Sequence, residues 1–182
     1  MKPIHLLAVA NGNGATEPGL GTLEHLAVGL SRIFRTRCSV RPGCLDSTFA
    51  RDERRNQYYS TALLQRLERA AEPDVRILGV TALDLYVPVL TFVFGEAQLE
   101  GTSALVSLAR LKDDFYGLPP REDLLHERLL KEAVHELGHT FGLRHCQDWQ
   151  CVMSSSHSVE RLDIKGTEFC SACRKIVLGF YW

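Results

Sequence analysis

The residues best suited to chemistry lie between positions 135 and 173. His135-Glu136-Leu137-Gly138-His139 sets two histidines four residues apart with an acid between them. On a helix that spacing is about 400° of rotation and about 6 Å of rise, so both imidazoles leave nearly one face. One divalent metal can sit between them. Glu136, about 100° round the axis from His135, is then placed beside that metal to take a proton from bound water. The chain continues Thr140-Phe141-Gly142-Leu143-Arg144-His145. A helix carried on to position 145 would turn the third histidine away. Gly142 permits the left-handed conformation that ends a helix, and His145 can then return as a third ligand. Three neutral nitrogens and a water form the open four-coordinate arrangement of catalytic zinc. His-Glu-x-x-His alone recurs by accident on amphipathic helices; adding Gly142 and His145 makes accident a poor explanation.

A second cluster follows at once. Cys146, Cys151, Cys170 and Cys173 form Cys-x4-Cys and then Cys-x2-Cys. Four thiolates with no open position suggest a structural zinc, giving two zinc ions per chain. Residues 144 to 174 hold few large apolar side chains, so metal is the natural means of holding them. Because Cys146 directly follows His145, the two metals must be neighbours, and the thiolate site is expected to fix the loop that presents His145. Cys38 and Cys44 carry no assigned function. His5, His25 and His126 read as surface or core residues, whereas His157, close behind the metal motif, is left open.

Elements that could position these groups are legible upstream. Ile4 to Ala10 reads as a buried strand, Asn11 to Gly21 as a Gly-rich loop, and Leu23 to Phe34 as a helix on a sheet. Cys38 to Arg41 is expected to be a second strand, stopped by Pro42-Gly43. Ala50 to Ala71 has a helical pattern with Leu63, Leu64 and Leu67 as its stripe and Arg51, Asp52, Glu53, Arg54 and Arg55 as a solvated start. Val75 to Val80, Leu90 to Phe94 and Ala104 to Leu108 read as further strands. After Pro119-Pro120 a long helix begins near Arg121, with Leu130, Val134, Leu137 and Phe141 facing the core. The expectation is one α/β (α+β) domain over residues 1–182, a single twisted mixed sheet with packed helices. Within it, residues 1–120 supply sheet and helices, 121–143 the active-site helix, and 144–182 the zinc-binding C-terminal segment.

Composition excludes several classes. The chain has 182 residues, 45% hydrophobic and 24% charged, with formal net charge −1. Nothing global recruits nucleic acid or an anionic membrane. No apolar run is long enough to cross a bilayer. The first apolar stretch is too short for a secretion signal, so a cytoplasmic location is expected, where six cysteines argue for metal rather than disulfides. Ser154, Ser155 and Ser156 lack the strained Gly-x-Ser-x-Gly setting of a serine nucleophile.

In combination these motifs resemble the archaemetzincins, a group within the metzincin peptidases. The resemblance rests on His135, Glu136, His139, Gly142, His145, Cys146, Cys151, Met153, Cys170 and Cys173, all within about 40 residues near the C-terminus. It implies a metzincin-like sheet with the active-site helix beneath an edge strand, for which Ala104 to Leu108 is the candidate partner of an extended peptide. It also implies that Met153, by spacing alone only a core methionine, forms the Met-turn beneath the zinc ligands. On this reading a metal-bound water attacks a peptide bond and Glu136 shuttles its proton to the leaving amine. The rival is a zinc-stabilised peptide-binding or regulatory protein without turnover, its zinc occluded by a side chain such as His157. Substrate sequence and oligomeric state are not written in the motifs.

Overall fold

The computed structural model describes residues 1–12 and 17–179. Ile4–Ala10 forms β1 and Leu20–Phe34 forms α1; the part of the expected Gly-rich loop at residues 13–16 lies outside the described residues. Cys38–Asp46 is β2. Arg51–Asp52 and Gln57–Tyr59 are β3 and β4, and Ser60–Ala70 is α2. Arg76–Thr81 is β5, Leu85–Tyr86 β6, Gly95–Ala97 β7 and Ser103–Ser107 β8. Three helices follow: α3 at Glu122–Thr140, α4 at Val159–Ile164 and α5 at Ser171–Leu178.

The main sheet has five strands in the order β2-β1-β5-β8-β7. The first four are parallel, and β7 runs antiparallel to β8 at the edge. Parallel strands covered on both faces need apolar residues at every position, which is why β1 and β8 read as continuous runs rather than alternating ones. Ile4, Leu6, Ala8, Leu78, Val80, Ala104 and Val106 face a core shared with Leu26, Leu30 and Phe34 of α1 and Leu129, Val134 and Leu137 of α3. Leu7, Val9, Ile77 and Leu105 face the opposite side, where Leu63, Leu64 and Leu67 of α2 pack. Side chains such as Leu30, Leu67 and Leu137 are wholly buried, each contributing about 1.5–3 kcal/mol.

Four expectations need correction. Pro42-Gly43 does not stop β2. The register slips between Leu6↔Val40 and Ala8↔Cys44, so the dipeptide is absorbed in a bulge of an edge strand, where a missing N–H is tolerated. The helix expected from Ala50 begins only at Ser60. Residues 51–59 instead form a hairpin, because Asp52 Oδ1 accepts the backbone N–H groups of Arg54 and Arg55 at 3.0 and 3.2 Å and Asn56 takes a left-handed φ of 53°. Leu90–Phe94 is a strand neither of the main sheet nor of the small second sheet, order β3-β4-β6; Val93 makes one isolated bridge to Leu85. The sheet edge is β7, not Ala104–Leu108, which is interior, flanked by β5 and β7.

The C-terminal segment is fastened to α3 by charge. Arg128, buried on that helix, grips Asp163 of α4 through two bonds of 2.7 Å and Asp113 at 2.8 Å. Lys131 donates to the carbonyls of Leu162 and Asp163 at the end of α4. Bonds first from Arg121 and then from Arg128 hold the Asp113 carboxyl below the usual carboxylate range. A carboxyl so depressed contributes stability above the ordinary aspartate pKa and loses it as pH falls through its lowered value. Arg128→Met should therefore lower the urea midpoint at neutral pH. The gap from wild type should narrow as pH is taken below the carboxylate range.

Candidate functional site

The long helix α3 carries His135, Glu136 and His139 on its C-terminal half and ends where the sequence requires. Phe141 and Leu143 donate their N–H groups to Gly138 O at 3.1 and 3.2 Å, and Gly142 donates to His139 O at 2.9 Å. Gly142 has φ +87°, the left-handed conformation that turns the chain. That turn does two things. It brings Leu143 O to 2.7 Å from His139 Nδ1, and it returns the chain so that His145 joins the other two rings. The ring centroids of His145 lie 5.2 Å from His135 and 5.3 Å from His139.

One potential ligand atom from each of the three histidines lies within 4.8 Å of the others. His135 Nδ1 is 2.9 Å from Val152 O, matching the bond that His139 makes to Leu143 O. A carbonyl can only accept, so both rings carry their hydrogen on Nδ1 and present bare Nε2 lone pairs. Those two Nε2 atoms are 3.2 Å apart. Two lone pairs facing each other at that distance repel unless a cation lies between them. Tetrahedral zinc with ligands at about 2.0–2.1 Å would separate them by about 3.3 Å. Burial lowers the proton affinity of His135 strongly and of His139 and His145 as well, keeping all three in the neutral form that binds metal.

The four expected thiols also converge. Cys146, Cys151, Cys170 and Cys173 place their sulfurs within 4.8 Å of one another, and Cys146 and Cys170 are 3.8 Å apart, the edge of a tetrahedron with bonds of about 2.3 Å. All six cysteines are free thiols. Cys170 stands at the N-cap position of α5, where the nearby backbone N–H of Cys173 lowers its pKa, while burial raises those of Cys151 and Cys173. Both donor sets therefore fit the metal that their chemistry implies.

Met153 is fully buried beneath α3. A Cβ at Gly138 would lie 2.4 Å from its sulfur, so only glycine leaves room for the methionine under the helix. Gly138 was an unassigned position inside the motif, and no spacing rule marks it. Gly95 was missed in the same way. A Cβ there would meet Leu105 O at 2.5 Å and Glu136 Cγ at 2.6 Å, so β7 and Glu136 touch directly. The buried pair Lys165–Glu132 at 3.1 Å was also missed; Lys165 further donates to Ser154 O at 3.2 Å. A lysine beyond the motif gives no sequence signal of burial.

Two openings flank the histidines. One, of about 260 Å³, is lined by the apolar Leu90, Phe92 and Phe94 and by the polar Ser155, Ser156 and His157. The second, of about 390 Å³, runs along β7 past Glu96, Leu99 and Arg144. Gly95, His135, Glu136 and His145 border both. Glu136 is buried between them, and burial, with the charge of Glu132 second, raises its pKa well above the usual carboxylate value.

A parallel sheet with one antiparallel edge, laid over a helix whose histidines converge on one point, defines a zinc metallopeptidase of metzincin architecture. The model of peptidase family M54 matches residues 23–178. The chain is 46% identical over 138 residues to the archaemetzincin of Methanocaldococcus jannaschii, covering 76% of this chain and 75% of that protein. The crystal structure of archaemetzincin from Archaeoglobus fulgidus, complexed with malonate, agrees with a TM-score of 0.80 at 36% identity and covers 96% of this chain and 99% of that one. A zinc-dependent peptidase from Methanocorpusculum labreanum agrees at TM-score 0.84 and 30% identity over the same shares. The chain belongs to peptidase family M54, the archaemetzincins.

The contact between β7 and Glu136 yields a test. Gly95→Ala must push either the strand or the carboxylate aside, and a displacement near 1 Å within an active site costs about 10²-fold in rate. Peptidase activity is expected to fall by that order with metal content, read by native mass spectrometry, unchanged.

Proposed function

We propose that residues 1–182 form one metallopeptidase domain that hydrolyses peptide bonds with two zinc ions, one catalytic and one structural. In this reading His135, His139 and His145 hold the catalytic ion, and Cys146, Cys151, Cys170 and Cys173 hold the structural one. Met153 forms the Met-turn that backs the histidines. The observation that carries the reading is the pair of bare Nε2 atoms at 3.2 Å, each ring fixed from behind by a backbone carbonyl.

Zinc bound there would supply a water acidified toward neutral pH and would polarise the scissile carbonyl. Glu136 takes the proton of the attacking water on its carboxylate and returns it to the leaving nitrogen. Its buried setting, which raises its proton affinity, suits a group that must hold a proton between two steps. The substrate is an extended peptide that adds to the free side of β7, the edge of the sheet that borders the cleft. No helix among the described residues is long and apolar enough to cross a membrane.

Four measurements decide this. Native mass spectrometry should find two zincs in the wild type and one in His139→Ala; one in both would empty the histidine site. Glu136→Gln should keep both metals and lose at least about 10²-fold in turnover, and full activity in that variant would remove Glu136 from the mechanism. Cys170→Ser should weaken zinc retention at both sites, because the thiolate cluster fixes the loop that carries His145. A wild type that holds two zincs yet binds no hydroxamate would favour the non-catalytic binding protein instead.

A further inference from the structure

The mechanism above leaves one imidazole in the cleft unused. His157 lines the same opening as His135, Glu136 and His145, yet it is not among the residues that converge on a common metal point. Its ring is exposed, and its Nε2 lies 3.4 Å from Ser155 Oγ. Ser156 lines the opening too, and its buried hydroxyl has no hydrogen-bond partner. The opening is therefore bordered by one hydroxyl, on Ser156, that the fold leaves without a partner, and by an imidazole whose one bond is to the neighbouring hydroxyl of Ser155. Leu90, Phe92 and Phe94 line the same opening.

Amide hydrolysis needs such donors at one stage. As water's oxygen bonds to the carbonyl carbon, its proton passes to Glu136 and the C=O π pair moves to the carbonyl oxygen. When the C–N bond breaks, its pair goes to nitrogen, which takes the proton from Glu136, and the oxygen's pair re-forms the double bond. Charge peaks on that oxygen between the two events, and a donor aimed there is worth about 10²–10³ in rate. We propose that His157 is a catalytic residue that donates a hydrogen bond from its imidazole to this oxygen, with Ser155 and Ser156 forming the polar wall around it. A neutral imidazole suffices, since one of its nitrogens always carries a hydrogen. The inference rests on the peptidase reading of the site.

The test separates the two. His157→Ala should lower kcat by about 10²–10³-fold, leave KM within about threefold and retain both zincs. A phosphinic peptide, which imitates the tetrahedral state, should lose affinity by the same factor in calorimetry, and His157→Gln should recover part of both losses. Turnover within twofold of wild type, a change in KM alone, or faster turnover would each overturn the role, the last identifying His157 as an occluding group. Glu136→Gln that binds the phosphinic peptide but turns nothing over keeps the peptidase reading, whatever His157 does. A wild type that binds neither phosphinic peptide nor hydroxamate removes that reading and this inference with it.

Discussion

Two imidazole nitrogens held 3.2 Å apart, lone pair toward lone pair, are the constraint around which the C-terminal half of this chain is arranged. Helical spacing puts the rings on one face, but it does not decide which nitrogen points outward. The carbonyls of Val152 and Leu143 decide it, by occupying both Nδ1 positions. Leu143 reaches His139 only because the chain reverses at Gly142. Val152 reaches His135 only because the segment after His145 doubles back under α3, where Cys146 N–H bonds Met153 O at 2.9 Å and Val152 N–H bonds Glu168 O at 3.0 Å. The tautomers of two ligands thus depend on the path of some thirty residues beyond the motif.

That path looks poor in core formers by composition, yet Val152, Met153, Val159, Leu162 and Phe169 all enter the main core, and polar bonds complete its attachment. Besides the thiol cluster, α3 sends Arg128, Lys131 and Glu132 from its buried side to Asp163, the end of α4 and Lys165. Burying so many charges gains little stability over an apolar contact of the same size, because desolvation offsets much of the attraction. What it does fix is position, since a charged group left unpaired in the interior is strongly disfavoured. Lys165 answers Glu132 one helical turn before Glu136, so the same bond that seats the C-terminal segment also balances a carboxylate beside that of Glu136.

Much of this was legible in the residues themselves. The three histidines, the acid, the turning glycine and the four thiols announced themselves through spacing, because metal ligation demands a few residue types at fixed intervals. The strands β1, β5 and β8 were legible because burial on both faces makes continuous apolar runs. The failures share a cause as well. Residues 51–59 have helical-looking charge periodicity, but Asp52 and Asn56 offered the backbone local turn bonds that a helix does not. The sheet edge was misplaced because Gly95-Glu96-Ala97 has no strand propensity; it is a strand only because β8 pairs with it. Gly138 and Gly95 were silent because the contacts they permit, with Met153 and Glu136, come from residues far away in sequence.

Strand β7 also carries features that discourage edge-to-edge pairing. An unpaired edge is a template for any other strand, and chains commonly blunt it with shortness and charge. Here β7 has three residues. Glu96, at its centre, pairs with Leu105 in register and so faces the α2 side of the sheet. There its carboxylate accepts bonds from Ser60 and from Thr61, the latter at 2.7 Å, at the start of α2. Its neighbours Gly95 and Ala97 face α3, with Gly95 against Glu136. Glu96 anchors the strand from one face and Gly95 admits the Glu136 side chain on the other. The outer side of β7 is thus short but fixed in place beside the Glu136 carboxylate.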